Sequence, residues 1–304
     1  MGIKHFYRAF ASGDNRRRVI VVVGPTASGK SKLAEKLAKK FQGEIIAADS
    51  RTVYKGMDIG TAKNFKDHLV DLISPNKQFT AGEFKKLALD KIRAIWLKNK
   101  VPLLVGGTGF YIDVLTKNLL LPKTPLNTKL RQKLNRMSLK KLQTELRRLD
   151  PQAEKIVDLK NPRRLIRAIE ICKQSKKPLS ETRKIGAPLF DFLKIGIELP
   201  REKLYQKINK RVEKMFKVGL LQEAKRIYQK YGEKAPGLNC IGYREFVPYF
   251  QKKIDLKRTK EIIQQNTRHY AKRQLTWFKK DQTINWVKNY QTAEKLTKKF
   301  LTRS

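Results

Sequence analysis

Five consecutive apolar residues, Val19 to Val23, follow a polar start to the chain and end at Gly24. A continuous apolar run of that length, closed by a glycine, predicts a strand buried on both faces. Leu33, Leu37 and Phe41, with Ala34 and Ala38 beside them, then recur at helical spacing. Glu44 to Ala48 predicts a second strand, and Leu69 to Ile73 is a third apolar stretch before the turn signal Ser74-Pro75-Asn76. Phe84, Leu87, Ala88, Ile92 and Ile95 trace another helix face, leading into Val101 to Val105 and Gly106-Gly107. Strands alternating with amphipathic helices predict a parallel sheet wrapped by helices. After Leu121-Pro122 the chain turns charged and helical in period, without clear strands. Phe192 to Glu198 returns to the sheet pattern, Leu204, Ile208, Val212, Met215 and Phe216 mark a helix stopping near Gly219, and Glu261 to Lys280 predicts a long helix.

Between the first strand and the first helix lies Gly24-Pro25-Thr26-Ala27-Ser28-Gly29-Lys30-Ser31, which fits the phosphate-cradling template at every fixed position. A loop there aims backbone N–H groups and a helix N-terminus at one spot. In such a loop Lys30 reaches the outer phosphate and the Ser31 hydroxyl ligates Mg2+. The fold class predicted is therefore α/β: a P-loop-type parallel sheet wrapped by helices, with an inserted all-helical domain. Its expected organisation is a basic extension over 1–18, a catalytic core over 19–122, a helical insertion over 123–190 that binds RNA, and the rest of the core with C-terminal helices over 191–304.

Composition sharpens the choice of partner. The 304 residues include 69 lysines and arginines against 27 acidic residues, a formal net charge of +42, while 40% are hydrophobic. A polyanion offsets such self-repulsion, and nucleic acid is the leading candidate. Cys172 and Cys240 form no CxxC pair, which argues against a disulfide framework or zinc site and for a reducing, cytosolic setting. No apolar run approaches the roughly 18 residues of a membrane span, and the arginine-rich leader lacks the apolar core of a secretory signal. Nothing in the pattern demands a dimer, so a monomer is expected.

Gly24, Asp49 and Gly106 fall at carboxyl ends of strands, where ligands collect in sheets of this kind. Asp49 suits a general base accepting a proton from an incoming nucleophile, and equally a metal-shell or helix-capping carboxylate. An ordinary P-loop triphosphatase would carry an aspartate at the end of a second apolar strand; here Val105 is followed by Gly106-Gly107-Thr108. Arg163, Arg164 and Arg167 share a helix opened by Asn161-Pro162, either as a phosphate clamp or as a solvated basic face. Asn239 to Arg244 is a glycine-containing turn ending in Tyr243 and Arg244, and Lys272 to Lys279 interleaves cations with Trp277 and Phe278, a pattern suited to a nucleic-acid backbone. A nucleoside kinase with the insertion as lid, or a nucleotide-gated RNA binder, are the rival functions.

Taken in order, Gly24-Pro-Thr-Ala-Ser-Gly-Lys-Ser31, Asp49-Ser50, Tyr54-Lys-Gly-Met-Asp-Ile-Gly-Thr-Ala-Lys63, Pro102-Leu-Leu-Val-Gly-Gly-Thr108, Asn161-Pro-Arg-Arg-Leu-Ile-Arg-Ala168, Cys240-Ile-Gly-Tyr-Arg244 and Ala271-Lys-Arg-Gln-Leu-Thr-Trp277 resemble the bacterial tRNA dimethylallyltransferases. The resemblance spans about residues 19 to 280. It implies transfer of a dimethylallyl group from dimethylallyl diphosphate to N6 of adenosine 37 in tRNAs reading codons that begin with U, with Mg2+ as cofactor. It implies Asp49 as base, Thr26 at the bridging oxygen, and Lys30, Ser31 with Mg2+, and Arg244 against the leaving diphosphate. For tRNA contact it implies Asp49, Ser50, Arg51, Thr52, Thr108, Arg163, Arg164, Leu165, Ile166, Arg167, Asn239, Cys240, Ile241, Gly242, Tyr243, Arg244, Lys272, Arg273, Gln274 and Trp277.

Overall fold

The computed structural model describes residues 18–122, 124–182 and 184–303; the basic leader before Arg18 lies outside them. Strand β1 (Arg18–Val23) is buried throughout. Arg18, grouped by sequence with the leader, instead opens this strand, and its guanidinium donates to the carbonyls of Leu301, at 2.9 Å, and Arg303. Helix α1 (Lys30–Lys40) follows the glycine loop, β2 (Gly43–Ala47) precedes a long connection, and α2 (Ala81–Leu97) begins at a reciprocal Thr80–Glu83 capping box. Strand β3 (Val101–Gly106) and α3 (Gly109–Thr116) complete the first segment.

The stretch Leu69 to Ile73 makes no strand. It forms single-residue bridges only, Ile46 with His68 and Tyr54 with Ile73. Leu69 and Asp71 take positive φ, 65° and 52°, which breaks the pleat that a ladder requires.

Contacts divide the chain into two compact units, Lys117–Pro188 and the segments flanking it. The inner unit holds β4 (Leu119–Leu120), α4 (Thr128–Asn135), α5 (Leu139–Leu149), α6 (Pro162–Ser175), α7 (Leu179–Thr182) and β5 (Lys184–Ile185). Its core is Leu134, Leu142, Leu146, Leu165, Ile166 and Ile169. Asn161 caps α6 through its side chain, accepting from the Arg164 N–H, with Pro162 in the first turn. The antiparallel pair β4–β5, two residues each, is invisible to periodicity because it is too short to alternate.

The outer unit resumes with β6 (Asp191–Ile197), α8 (Arg201–Lys217), α9 (Leu220–Tyr231), α10 (Phe246–Phe250), α11 (Leu256–Phe278), β7 (Ile284–Val287) and α12 (Tyr290–Leu301). The five-stranded sheet runs β2-β3-β1-β6-β7, parallel at every pairing. Alternate residues of β1 face opposite layers. Val19, Val21 and Val23 join a core with Phe84, Ala88 and Ile92 of α2, whereas Ile20 and Val22 pack with Leu33 and Leu37 of α1 and Phe300 of α12. A third core gathers Val53, Tyr54 and Met57 against α8, α9, α10 and α11.

Candidate active site

Three strand ends meet at the carboxyl edge of the sheet. Beyond the last residues of β2 and β3 the two chains stay zippered, Ala48 N–H donating to the Val105 carbonyl at 2.7 Å and Thr108 N–H to the Ala48 carbonyl at 3.3 Å. A Cβ on Gly106 would lie 2.0 Å from the Ala48 carbonyl oxygen, so only glycine admits this approach. Asp49 and Thr108 are thereby fixed side by side. Ser50 N–H donates to Thr108 Oγ1 at 3.1 Å, and Arg51 N–H donates to Asp49 Oδ1 at 2.9 Å.

The glycine loop curls through positive φ at Ala27 and Gly29, 62° and 99°. Gln274 of α11 ties it to β3, its Oε1 accepting from Thr26 N–H at 2.8 Å and its Nε2 donating to the Gly107 carbonyl at 2.8 Å. Helix α1 has neither a side-chain cap nor an acidic residue in its first turn, so its leading N–H groups are open to an anion. Among the described residues the hydroxyls of Thr26, Ser28 and Ser31 make no hydrogen bond, and that of Ser28 is buried. The loop thus keeps three hydroxyls without a partner, although the N–H groups of Thr26 and Ser28 are already bonded, to Gln274 and to the Pro25 carbonyl.

Lys30 stands at its centre. Burial lowers its pKa to about 8, with Asp49 opposing the shift and Arg211 adding to it. Its Nζ reaches the Pro25 carbonyl at a long 3.5 Å. Arg211, from α8, is itself lowered by burial against the pull of Asp49, and donates to the Thr61 carbonyl at 3.4 Å. Burial works against the Arg51 charge, but Cys240, Asp49, Tyr54 and Tyr270 more than offset it. Burial pushes the Cys240 thiol up to about 11, and raises the phenols of Tyr111 and Tyr270, Asp49 adding to both. One carboxylate thus sits among three cations and two buried phenols.

The Tyr54-to-Lys63 motif builds the wall rather than the chemistry. Buried Lys63 donates to the Tyr54 carbonyl at 2.8 Å, to Asp58 at 2.6 Å and to Asp71. Buried Glu223 of α9 accepts from the N–H groups of Asp58, Ile59 and Gly60 and, at 2.6 Å, from the Tyr243 hydroxyl.

Several residues expected at an RNA surface are elsewhere. Leu165 and Ile166 are core residues of the inner unit, because α6 turns that face inward. Arg167 braces that unit, donating to Glu170 and the Thr124 carbonyl, whereas Arg163 and Arg164 are exposed. Tyr243 is fully buried on Glu223 and cannot stack on a base; Cys240 and Gly242 are buried too, beside exposed Asn239 and half-buried Ile241. Arg244 is exposed and pairs with Glu245 at 2.8 Å, and the guanidinium whose charge lowers the Lys30 pKa is that of Arg211. Thr52 is buried, Gln274 is spent on the loop, and Trp277 is half-buried with its indole N–H on Asp113 at 3.1 Å. Lys272 and Arg273 remain exposed. Arg211 had one signal in the sequence: it adjoins the buried stripe Ile208-Val212-Met215, where a solvated arginine is out of place.

The family model described as IPP transferase matches residues 52–281. The chain is 41% identical to a tRNA dimethylallyltransferase of Acetivibrio thermocellus over 298 residues, covering 92% of this chain and 95% of that one. The chain belongs to the tRNA dimethylallyltransferase family. A second relative, the tRNA dimethylallyltransferase of Finegoldia magna, is 41% identical over 286 residues, 90% of this chain and 91% of its own. Among solved structures, the tRNA isopentenylpyrophosphate transferase of Bacillus halodurans superposes with a TM-score of 0.72 at 32% identity, covering 94% of this chain and 97% of that one. A eukaryotic dimethylallyltransferase described as acting on tRNA gives 0.76 at 28% identity, over 93% and 77% respectively. The family's reaction, transfer of a dimethylallyl group to tRNA, accounts for a P-loop fold in which β3 ends in Gly106-Gly107.

Among the described residues no helix is long and apolar enough to cross a membrane, and no group of three or more His, Cys, Asp or Glu could hold a metal.

Proposed function

We propose that the chain transfers the dimethylallyl group of dimethylallyl diphosphate to N6 of adenosine 37, beside the anticodon of tRNAs reading codons that begin with U. The products are N6-dimethylallyladenosine and diphosphate, and the enzyme works as a cytosolic monomer. What carries this reading is Lys30: a desolvated cation with a single long carbonyl contact, in the loop after β1 and within the field of Asp49, which follows β2.

The exocyclic amine of adenine is a weak nucleophile, because its lone pair is delocalised into the ring. N6 forms a bond to C1 of the allyl group, the C1–O bond breaks, diphosphate leaves as the anion, and the N6 proton passes to the Asp49 carboxylate. Lys30, Arg211 and the open N–H groups of α1 receive the charge that develops on the leaving oxygens; one preorganised donor of this kind is worth about 3 kcal/mol. Thr26, held by Gln274 through its N–H, keeps its hydroxyl for the bridging oxygen. The buried, unpartnered Ser28 hydroxyl and the exposed Ser31 hydroxyl suit a loop in which Ser31 would hold Mg2+ together with the diphosphate. When bound, the cation neutralises diphosphate charge. Adenine 37 must leave the loop stack to meet Asp49, at a cost of roughly a few kcal/mol. Phosphate contacts from Arg163, Arg164, Lys272 and Arg273 offset that cost.

Incubation with Mg2+, labelled dimethylallyl diphosphate and unmodified tRNA, without ATP, tests the reading. Label must enter the tRNA at adenosine 37. Transfer that required ATP, or label that never reached RNA, would refute it.

A further inference from the structure

A concavity of about 950 Å3 opens beside the phosphate loop, and Asp49 is not among its lining residues. It lies between the end of β6, the first turn of α8, the last turns of α11 and the end of β7. Its floor is apolar, with Leu199, Leu275 and Trp286; Leu199 and Leu275 also pack with Ala27 of the loop. The Trp286 ring lies flat on β6 because its register partner is Gly196: a Cβ there would sit 2.8 Å from the indole. Five cations rim the floor, Arg201, Lys203, Lys272, Lys279 and Lys288, against one carboxylate, Glu198. Among the described residues none of the four lysines pairs with an acid, and Arg201 spends its Nε on the Tyr205 hydroxyl at 3.1 Å.

Unpaired cations around an aromatic floor match a nucleic-acid strand, whose phosphates need the charge and whose bases stack on an aromatic plane. A metabolite-sized anion needs fewer cations, and an apolar partner none. We propose that this groove is an RNA-binding surface extending the tRNA interface from α11 onto α8 and the end of β7, with Trp286 stacking on a base and Lys203 and Lys288 on phosphates. The proposal rests on the tRNA-transferase reading and adds to it a wall that no motif marks.

Binding of a fluorescent, unmodified anticodon stem-loop RNA, followed across salt, tests it with Lys203→Glu/Lys288→Glu. Both lysines are exposed, so the variant folds. Two lost phosphate contacts reduce the slope of log affinity against log salt by about two, and affinity falls tenfold or more while KM for dimethylallyl diphosphate stays unchanged. The same charge reversal on α12, Lys298→Glu/Lys299→Glu, leaves the slope near that of the unaltered enzyme. Trp286→Phe, which keeps a ring on Gly196, retains more of the affinity than Trp286→Ala. Equal slopes for the two double variants overturn the groove while leaving the transferase reading intact. Failure of the unaltered enzyme to bind the stem-loop removes both.

Discussion

Lys30 carries a charge that its surroundings do little to support. Its folded pKa of about 8 lies below the ordinary 10.5, so without a bound anion the protonated form costs stability, and that cost fades as pH rises from about 8 toward 10.5. A diphosphate reverses the balance by supplying the missing counter-charge. The expected outcome is a kcat/KM for dimethylallyl diphosphate, at saturating tRNA, that falls as pH rises through about 8. Lys30→Met should be low at every pH, and a flat profile between pH 7 and 9 would refute the assignment. Asp49→Asn removes the proton acceptor but preserves shape. Turnover should drop by about 10²–10⁴, while tRNA affinity measured by filter binding changes little; normal turnover would take Asp49 out of the base role. Both residues were legible from spacing alone, since a glycine loop and a strand-end acid are local signals. Arg211 was marked only by its place beside the buried stripe of α8, because a basic helix face looks the same whether it points at solvent or at a half-buried carboxylate.

At the scale of elements, buried carboxylates do the positioning. Glu223 gathers three successive N–H groups of the Asp58–Gly60 turn and the Tyr243 hydroxyl. Glu223→Ala leaves these donors without an acceptor, and the loss should be about 2–3 kcal/mol, read as a lower midpoint in urea. A midpoint unchanged from that of the unaltered chain would show that the turn holds itself. In the inner unit Glu170 is buried against Arg131 and Arg167. Burial opposes its charge, but those guanidinium hydrogen bonds and the Asn127 N–H hold its pKa down at about 2. The sign for a depressed carboxylate is stability present above about 4.5 and lost as pH falls toward 2. Acid unfolding of this unit, followed by amide exchange, should therefore begin in that window. Glu170→Gln should flatten it. The motifs thus split: the glycine loop leaves hydroxyls unpartnered, while Tyr243, Lys63 and Arg167 hold elements together.

For the whole molecule, a formal charge of +42 sets how tRNA is approached. Binding should weaken steeply with salt, each neutralised phosphate adding about 0.9 to the log–log slope. Arg163→Ala should lower that slope by about one and weaken binding; an unchanged slope would place this face of α6 in solvent. The sheet order β2-β3-β1-β6-β7 puts β1 at the centre, between two strands far from it in sequence. Periodicity identified each of these three strands, but periodicity carries no information about neighbours.

Local backbone chemistry was written in the chain itself: a buried strand, a glycine turn, a helix start, and an acid at the end of the next strand. These depend on residues within a few positions of one another, so spacing suffices to read them. Which cation faces Asp49, why Tyr243 is a strut, and why Leu69 to Ile73 forms no strand were decided by tertiary structure. Those outcomes depend on burial and on partners some twenty residues away, as for Tyr243 with Glu223 and Ile73 with Tyr54, or far more, as for Arg211 and Asp49, and a side chain's environment exists only once the fold has brought them together.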